Sequence, residues 1–134
     1  MSLTLRLGKR GCFSKLSTRC FMTPDTLLIN HTFLLRGENL EGPVLDLACG
    51  KGQNGLFVAV LGLPVILADR NPEALEMAQK AAYGKGLKVT FWEVDLETGQ
   101  NHLEEDHYRA ILVFRYLHRP LIPCIKKAIR PKTK

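Results

Sequence analysis

Long apolar runs are missing from this chain of 134 residues. No stretch approaches the roughly 20 residues that a membrane-spanning helix needs, so no such span and no membrane partner is expected. Paired cysteines are missing too. Cys12, Cys20, Cys49 and Cys124 form no C-x-x-C motif and no short-scaffold spacing, and four isolated thiols fit a reducing, cytoplasmic setting. The four histidines at 31, 102, 107 and 118 lack ligand spacing, and no metal is expected. Acidic residues are absent from both ends. Residues 1–24 hold five Lys/Arg and no acid, residues 108–134 hold eight and no acid, and the 83 residues between carry all 13 acids for a net charge of −7. The overall +6 therefore belongs to the ends. A charge so divided is not a basic stripe on one face, which speaks against nucleic acid as a partner.

What is present is enough apolar residue, 46%, for the core of one domain. Residues 1–22 read as a basic arm outside the fold. It is a solvated segment, sequence upstream of a start at Met22, or an import signal, whose composition it shares. Residues 23–134 read as the domain. Its centre is Val44-Leu-Asp-Leu-Ala-Cys-Gly-Lys-Gly52: four strand-like residues with one carboxylate, a loop of small residues, and then an apolar segment from Gly55 to Leu61. That order is a buried strand, a tight turn and a helix packed back on the strand. Gly50 and Gly52 let the backbone turn sharply and let a ligand approach, and the helix start would aim its N–H groups into the turn.

Two ligand classes use such a turn. Gly50, Gly52 and Gly55 match the dinucleotide pattern G-x-G-x-x-G, with Asp69 at the spacing expected of a ribose-binding acid. This keeps a nicotinamide-dependent oxidoreductase as an alternative. Asp46 opposes it, because a carboxylate at the strand end would repel a pyrophosphate, whereas a ligand carrying an ammonium and a sulfonium would find a partner there.

Asp46-Leu-Ala-Cys-Gly-Lys-Gly52 resembles the first motif of class I S-adenosylmethionine-dependent methyltransferases, Asp/Glu-x-Gly/Ala-x-Gly-x-Gly. Tyr116-Leu-His-Arg-Pro-Leu121 resembles the small bacterial subgroup of the tellurite-resistance type. The resemblance covers roughly residues 24–131. It implies an α/β, doubly wound, Rossmann-like parallel sheet of order 3-2-1-4, lacking strands five to seven of the full fold. It also implies an S-adenosylmethionine site built from Asp46, Ala48, Cys49, Gly50, Lys51, Gly52, Asp69, Arg70, Asp95, Leu96 and Phe114. Asp69 would hold the ribose and Asp95 the adenine amine. Tyr116, His118 and Arg119 would face a small polar or anionic acceptor, with His118 or Tyr116 as base where one is needed. A non-catalytic fragment of such an enzyme is the remaining alternative.

Periodicity supplies the other elements. Thr23-Pro24-Asp25 predicts a helix start, with Leu27, Leu28, His31, Leu34 and Leu35 on its stripe. Val65–Ala68, Leu87–Val94 and Ala110–Phe114 read as strands. Asn71-Pro72-Glu73 opens a helix that Gly84 and Gly86 stop, and Pro120–Ile129 forms another. Trp92 reads as core. Strand four, almost wholly apolar, predicts burial on both faces and a bare outer edge open to self-association or to a partner strand.

Overall fold

The computed structural model describes residues 24–37, 40–114 and 116–131. The basic arm expected over residues 1–22 and the cap expected at Thr23 lie outside them. Four parallel strands form one sheet: β1 (Val44–Leu47), β2 (Val65–Asp69), β3 (Val89–Glu93) and β4 (Ala110–Val113), in the order β3-β2-β1-β4. This is the order expected. Val44 stands opposite both Val65 and Ala110, and Val65 stands opposite Val89, so the strand ends are level.

Helices α1 (Thr26–Asn30), α2 (Gln53–Val60), α3 (Pro72–Ala82) and α4 (Ile122–Ala128) connect and cover the sheet. Side chains alternate along a strand, and the two cores follow that alternation. Val44, Val65, Leu67 and Leu112 pack with Leu28, Leu56, Val58, Leu75 and Ala78 on the face of α1, α2 and α3. Leu45, Leu47 and Ala68 pack with Tyr108, Leu121 and Ala128 on the face of α4, where Trp92 joins them half-buried. The same alternation turns Asp46, two residues after Val44, toward α2.

The start of α3 follows the sequence closely. Asn71 Oδ1 accepts from Glu73 N–H at 3.0 Å, and Pro72 opens the helix. The first helix does not. Asp25 is the cap, its Oδ1 accepting from Leu27 N–H at 2.9 Å, and the helix lasts only to Asn30. The cause is His31. Its ring Nδ1 bonds the Leu27 carbonyl at 2.8 Å, while its N–H goes to Leu28. The carbonyl that an α-helix would offer the His31 amide is thus held by the ring. A 3-10 turn, Thr32–Leu35, follows. Of the expected stripe only Leu28 and Leu35 are buried, and Leu27, His31 and Leu34 are exposed. The last helix is likewise preceded by a 3-10 turn, Arg119–Leu121.

β4 also departs from expectation. Only Leu112 is buried, and Val113 is 38% exposed. Its outer edge is not wholly bare. Tyr108, just before the strand, forms a parallel bridge with Ile129, and Arg130 N–H donates to the Tyr108 carbonyl at 2.7 Å. The segment leaving α4 therefore runs beside the start of β4 as a parallel neighbour would.

Arg109 fastens the N-terminal segment to the sheet. Its Nε donates to the Gly42 carbonyl at 2.8 Å and its Nη1 to the Leu35 carbonyl at 3.1 Å, while its own N–H donates to Pro43. Arg109→Ala is expected to destabilise the domain by about 2 kcal/mol, because hydrogen bonds from a charged donor are lost and two carbonyls are left without partners. Urea unfolding of the variant beside the parent measures this.

Candidate functional site

All three strand ends expected to form the site converge. After β1 the chain turns through Ala48, Cys49, Gly50, Lys51 and Gly52 into α2. Ala48 (φ +52°), Gly50 (φ +58°) and Gly52 (φ +82°) all lie in the left-handed region. For Ala48 this costs roughly 1–2 kcal/mol, and its neighbours hold it there. Cys49 N–H donates to the Ala68 carbonyl, and Gly52 N–H to the Cys49 carbonyl, both at 3.0 Å. Asp69 closes the loop from the end of β2. Its Oδ2 accepts from Gly50 N–H and its Oδ1 from Asn71 N–H, each at 2.8 Å.

The three glycines do different things. A Cβ built on Gly50 meets nothing within 4 Å, so this glycine faces open space. A Cβ on Gly52 would sit 3.0 Å from Leu67 and 3.1 Å from Ala78. Gly52 therefore serves helix-to-sheet packing, and of the two loop glycines expected to admit a ligand only Gly50 has open space beside its Cα. A Cβ on Gly55 would collide with Leu67 and Asp46. Gly55 lets α2 settle directly onto the sheet, where its N–H donates to Asp46 Oδ2 at 3.0 Å. One of the helix N–H groups expected to face a ligand is thus committed to Asp46.

Asp46 is 3% exposed. Burial is the main cause that raises its pKa, to about 7; the Gly55 hydrogen bond pulls the other way, and the negative charge of Asp69 adds to the rise. Cys49 is also buried, its Sγ donating to the Gly50 carbonyl at 3.4 Å. Burial and the two carboxylates push its thiol up, so it is a small packing group and no nucleophile.

Two clefts open over these strand ends. The first, about 760 Å³, is lined by Asp46, Ala48, Cys49, Gly50, Lys51 and Phe114, and by Gln53, Asn54 and the start of α1. The second, about 220 Å³, is lined by Ala48, Asp69, Arg70, Val94, Asp95, Leu96, Glu97 and Tyr116. Ala48 is the wall they share. Of the residues expected to bind cofactor, only Gly52 lines neither cleft. Tyr116 lies in the second cleft, its Oη donating to Glu97 Oε2 at 3.0 Å. Burial and this bond raise its pKa to about 12. His118 and Arg119 stand at the start of the 3-10 turn and line neither cleft.

Sequence reasoning missed Asn54 and Glu97. Asn54 is buried, and its Oδ1 accepts from Asp25 N–H at 2.7 Å, which ties α1 to the rim of the first cleft. A polar residue in the first turn of an otherwise apolar helix was the available signal. Among the described residues, no group of three His, Cys, Asp or Glu side chains is placed to hold a metal, and no helix is long and apolar enough to cross a membrane.

Residues 44–131 match the family model of the methyltransferase domain. The chain belongs to that family. Over 90 residues it is 28% identical to the probable S-adenosyl-L-methionine-dependent methyltransferase TehB of Haemophilus influenzae, which covers 67% of this chain and 32% of that one. It is 29% identical over 94 residues to the ribosomal RNA small subunit methyltransferase J of Coxiella burnetii, covering 65% and 37%. A solved structure, from work on the conversion of a disulfide bond into a thioacetal group during echinomycin biosynthesis, superposes with a TM-score of 0.67 at 24% identity, covering 81% of this chain and 46% of that one; it bears on the fold alone. The chain spans about a third of the length of these curated relatives.

The cofactor of this methyltransferase class is S-adenosylmethionine, and the residues present fit it. A buried carboxylate whose proton affinity burial has raised is stabilised by an approaching cation and further destabilised by a pyrophosphate. Gly50 leaves the approach open. The nicotinamide alternative falls with this family assignment.

Three expectations follow. Between pH about 4 and about 7 the folded chain holds a proton on Asp46 that the unfolded chain releases. Its contribution is therefore fully present below pH 4 and lost as pH rises to 7 and beyond. Asp46→Asn should remove that slope and be the more stable protein at pH 8, by up to about 4 kcal/mol; urea unfolding at pH 5 and pH 8 compares the two. Gly55→Ala should destabilise the fold by about 2–3 kcal/mol through overpacking. Gly50→Val should fold with a strain of about 1–2 kcal/mol and lose S-adenosylhomocysteine binding. Denaturation and ligand titration of both variants separate the roles.

Proposed function

We propose that this chain binds S-adenosylmethionine across the two clefts and directs its methyl group to a small polar or anionic acceptor. The observation that carries the reading is the junction at Ala48: a cleft with a buried carboxylate on one side, and a cleft ending in Asp69 and Asp95 on the other. A molecule cationic at one end and a nucleoside at the other matches that distribution. Asp46 holds the cationic end. Asp69, each of whose oxygens has a lone pair beyond its backbone bond, accepts from ribose hydroxyls. Asp95 and the Leu96 backbone border the base, and Phe114 helps to shield the reacting centre from water.

Bound S-adenosylmethionine supplies an activated methyl group open to in-line displacement. The protein's task is then mainly positioning. Tyr116, with its pKa near 12 and its proton directed to Glu97, is a donor and not a base in this arrangement. Where an acceptor must lose a proton, His118, which follows the second cleft's Tyr116 but lines neither cleft, is the candidate base. Arg119 beside it suits an anionic acceptor.

The acceptor class rests on these side chains. The ribosomal RNA relative keeps nucleic acid open as an acceptor, and the acidic middle of the chain favours the small-molecule reading. Self-association through the exposed part of β4, beyond the bridge at Ile129, is a further element of the proposal.

Calorimetric titration with S-adenosylhomocysteine and NAD⁺ side by side tests the function. S-adenosylhomocysteine should bind more tightly, and more tightly at pH 8 than at pH 6, since its ammonium pairs with ionised Asp46. Tighter binding of NAD⁺, or no binding of either, overturns the reading.

A further inference from the structure

Tyr116 and Glu97 come from opposite rims of the molecule. Glu97 follows β3, Tyr116 follows β4, and in the order β3-β2-β1-β4 these are the outermost strands. Their side chains nevertheless meet, Tyr116 Oη donating to Glu97 Oε2 at 3.0 Å. The bond bridges residues that wall the second cleft, whose other lining residues include Ala48 after β1 and Asp69 at the end of β2. The Glu97 side of the bridge is itself anchored, since its N–H donates to Asp95 Oδ1 at 3.0 Å. Asp95, Glu97 and Tyr116 thus form a chain of contacts from the end of β3 to the loop that precedes the Arg119 turn.

From this placement we infer that Glu97 is a positioning residue, latching Tyr116 across the second cleft so that the cofactor's nucleoside end and the loop after β4 are held by one bond. The inference rests on the proposed cofactor reading. Glu97 is exposed, and in the open cleft water competes for both partners, so the bond adds little. A nucleoside filling the cleft displaces that water and strengthens the bond in the less polar surroundings it creates. The latch is therefore tightened by the bound ligand and acts on its release. It also holds the loop carrying His118 and Arg119 more firmly when the cofactor is bound, which links cofactor occupancy to the acceptor side.

The test uses the full chain and S-adenosylhomocysteine, with dissociation rates from stopped-flow displacement and Tm of the ligand-free protein. Tyr116→Phe and Glu97→Ala should each release the ligand roughly three- to tenfold faster, the range of one net hydrogen bond. The double variant should release it no faster than either single one. Glu97→Gln, which keeps an acceptor oxygen, should stay within about twofold of the parent, and ligand-free Tm should hardly move in any of them. Release rates equal to the parent's in both single variants, or effects that multiply in the double one, overturn the latch alone. Faster release accompanied by a matching fall in ligand-free Tm makes the contact a plain structural one and also overturns it. A parent chain that binds no S-adenosylhomocysteine overturns the latch together with the cofactor reading.

Discussion

The hydrogen bond from Gly55 N–H to the Asp46 carboxylate is the contact on which the site depends. It joins the first strand to the helix that follows and fixes the depth at which that helix sits. It also keeps a carboxylate at the floor of a cleft where burial alone would favour its neutral form. The geometry requires a glycine, because a Cβ at Gly55 would occupy the space of Leu67 and Asp46. The loop between the two partners must then turn within a few residues, and it does so with three residues at positive φ. The left-handed alanine at 48 is the consequence of a helix drawn down onto the sheet. It stands where the two clefts meet.

Asp69 holds this loop from the other side. Since its two oxygens already accept from Gly50 and Asn71, its charge does two jobs. It shapes the loop before any ligand arrives, and it raises the proton affinity of Asp46 from a distance. A cation entering the first cleft relieves that repulsion. The two acids and the glycine loop therefore act as one electrostatic unit, and removal of either carboxylate changes the environment of the other.

Much of this was legible in the sequence because it is written in local chemistry. Val44–Leu47 reads as a buried strand from composition alone, Asn71-Pro72-Glu73 as a helix start from its cap, and Asp69 and Asp95 as acids at strand ends from the apolar runs before them. The strand order followed from a family resemblance and not from periodicity. What was not legible depends on partners distant in the chain. Nothing near Gly52 says that its Cα faces Leu67 and Ala78 while that of Gly50 faces the cleft. Tyr116 and Glu97 are 19 residues apart, and no spacing rule joins them. These are tertiary facts, decided by how the sheet brings its outer strands around.

The two faces of the sheet differ in a way that bears on the reaction. The face of α1, α2 and α3 carries the buried end of the site: Asp46, Gly55 and the base of the loop. The face of α4 is more thinly covered, with Val113 exposed at the end of β4 and Trp92 only half-buried. The loop that leaves β4 crosses from one situation to the other. Phe114 lines the first cleft beside Asp46, and two residues later Tyr116 lines the second. This short segment thus lines both clefts, while apart from Ala48 the rest of the lining is divided between them. A segment placed so, with few buried anchors of its own, takes its position from what it contacts. On the proposed reading the acceptor side is shaped by the cofactor side, because the segment leading to His118 and Arg119 lines both clefts, through Phe114 and Tyr116.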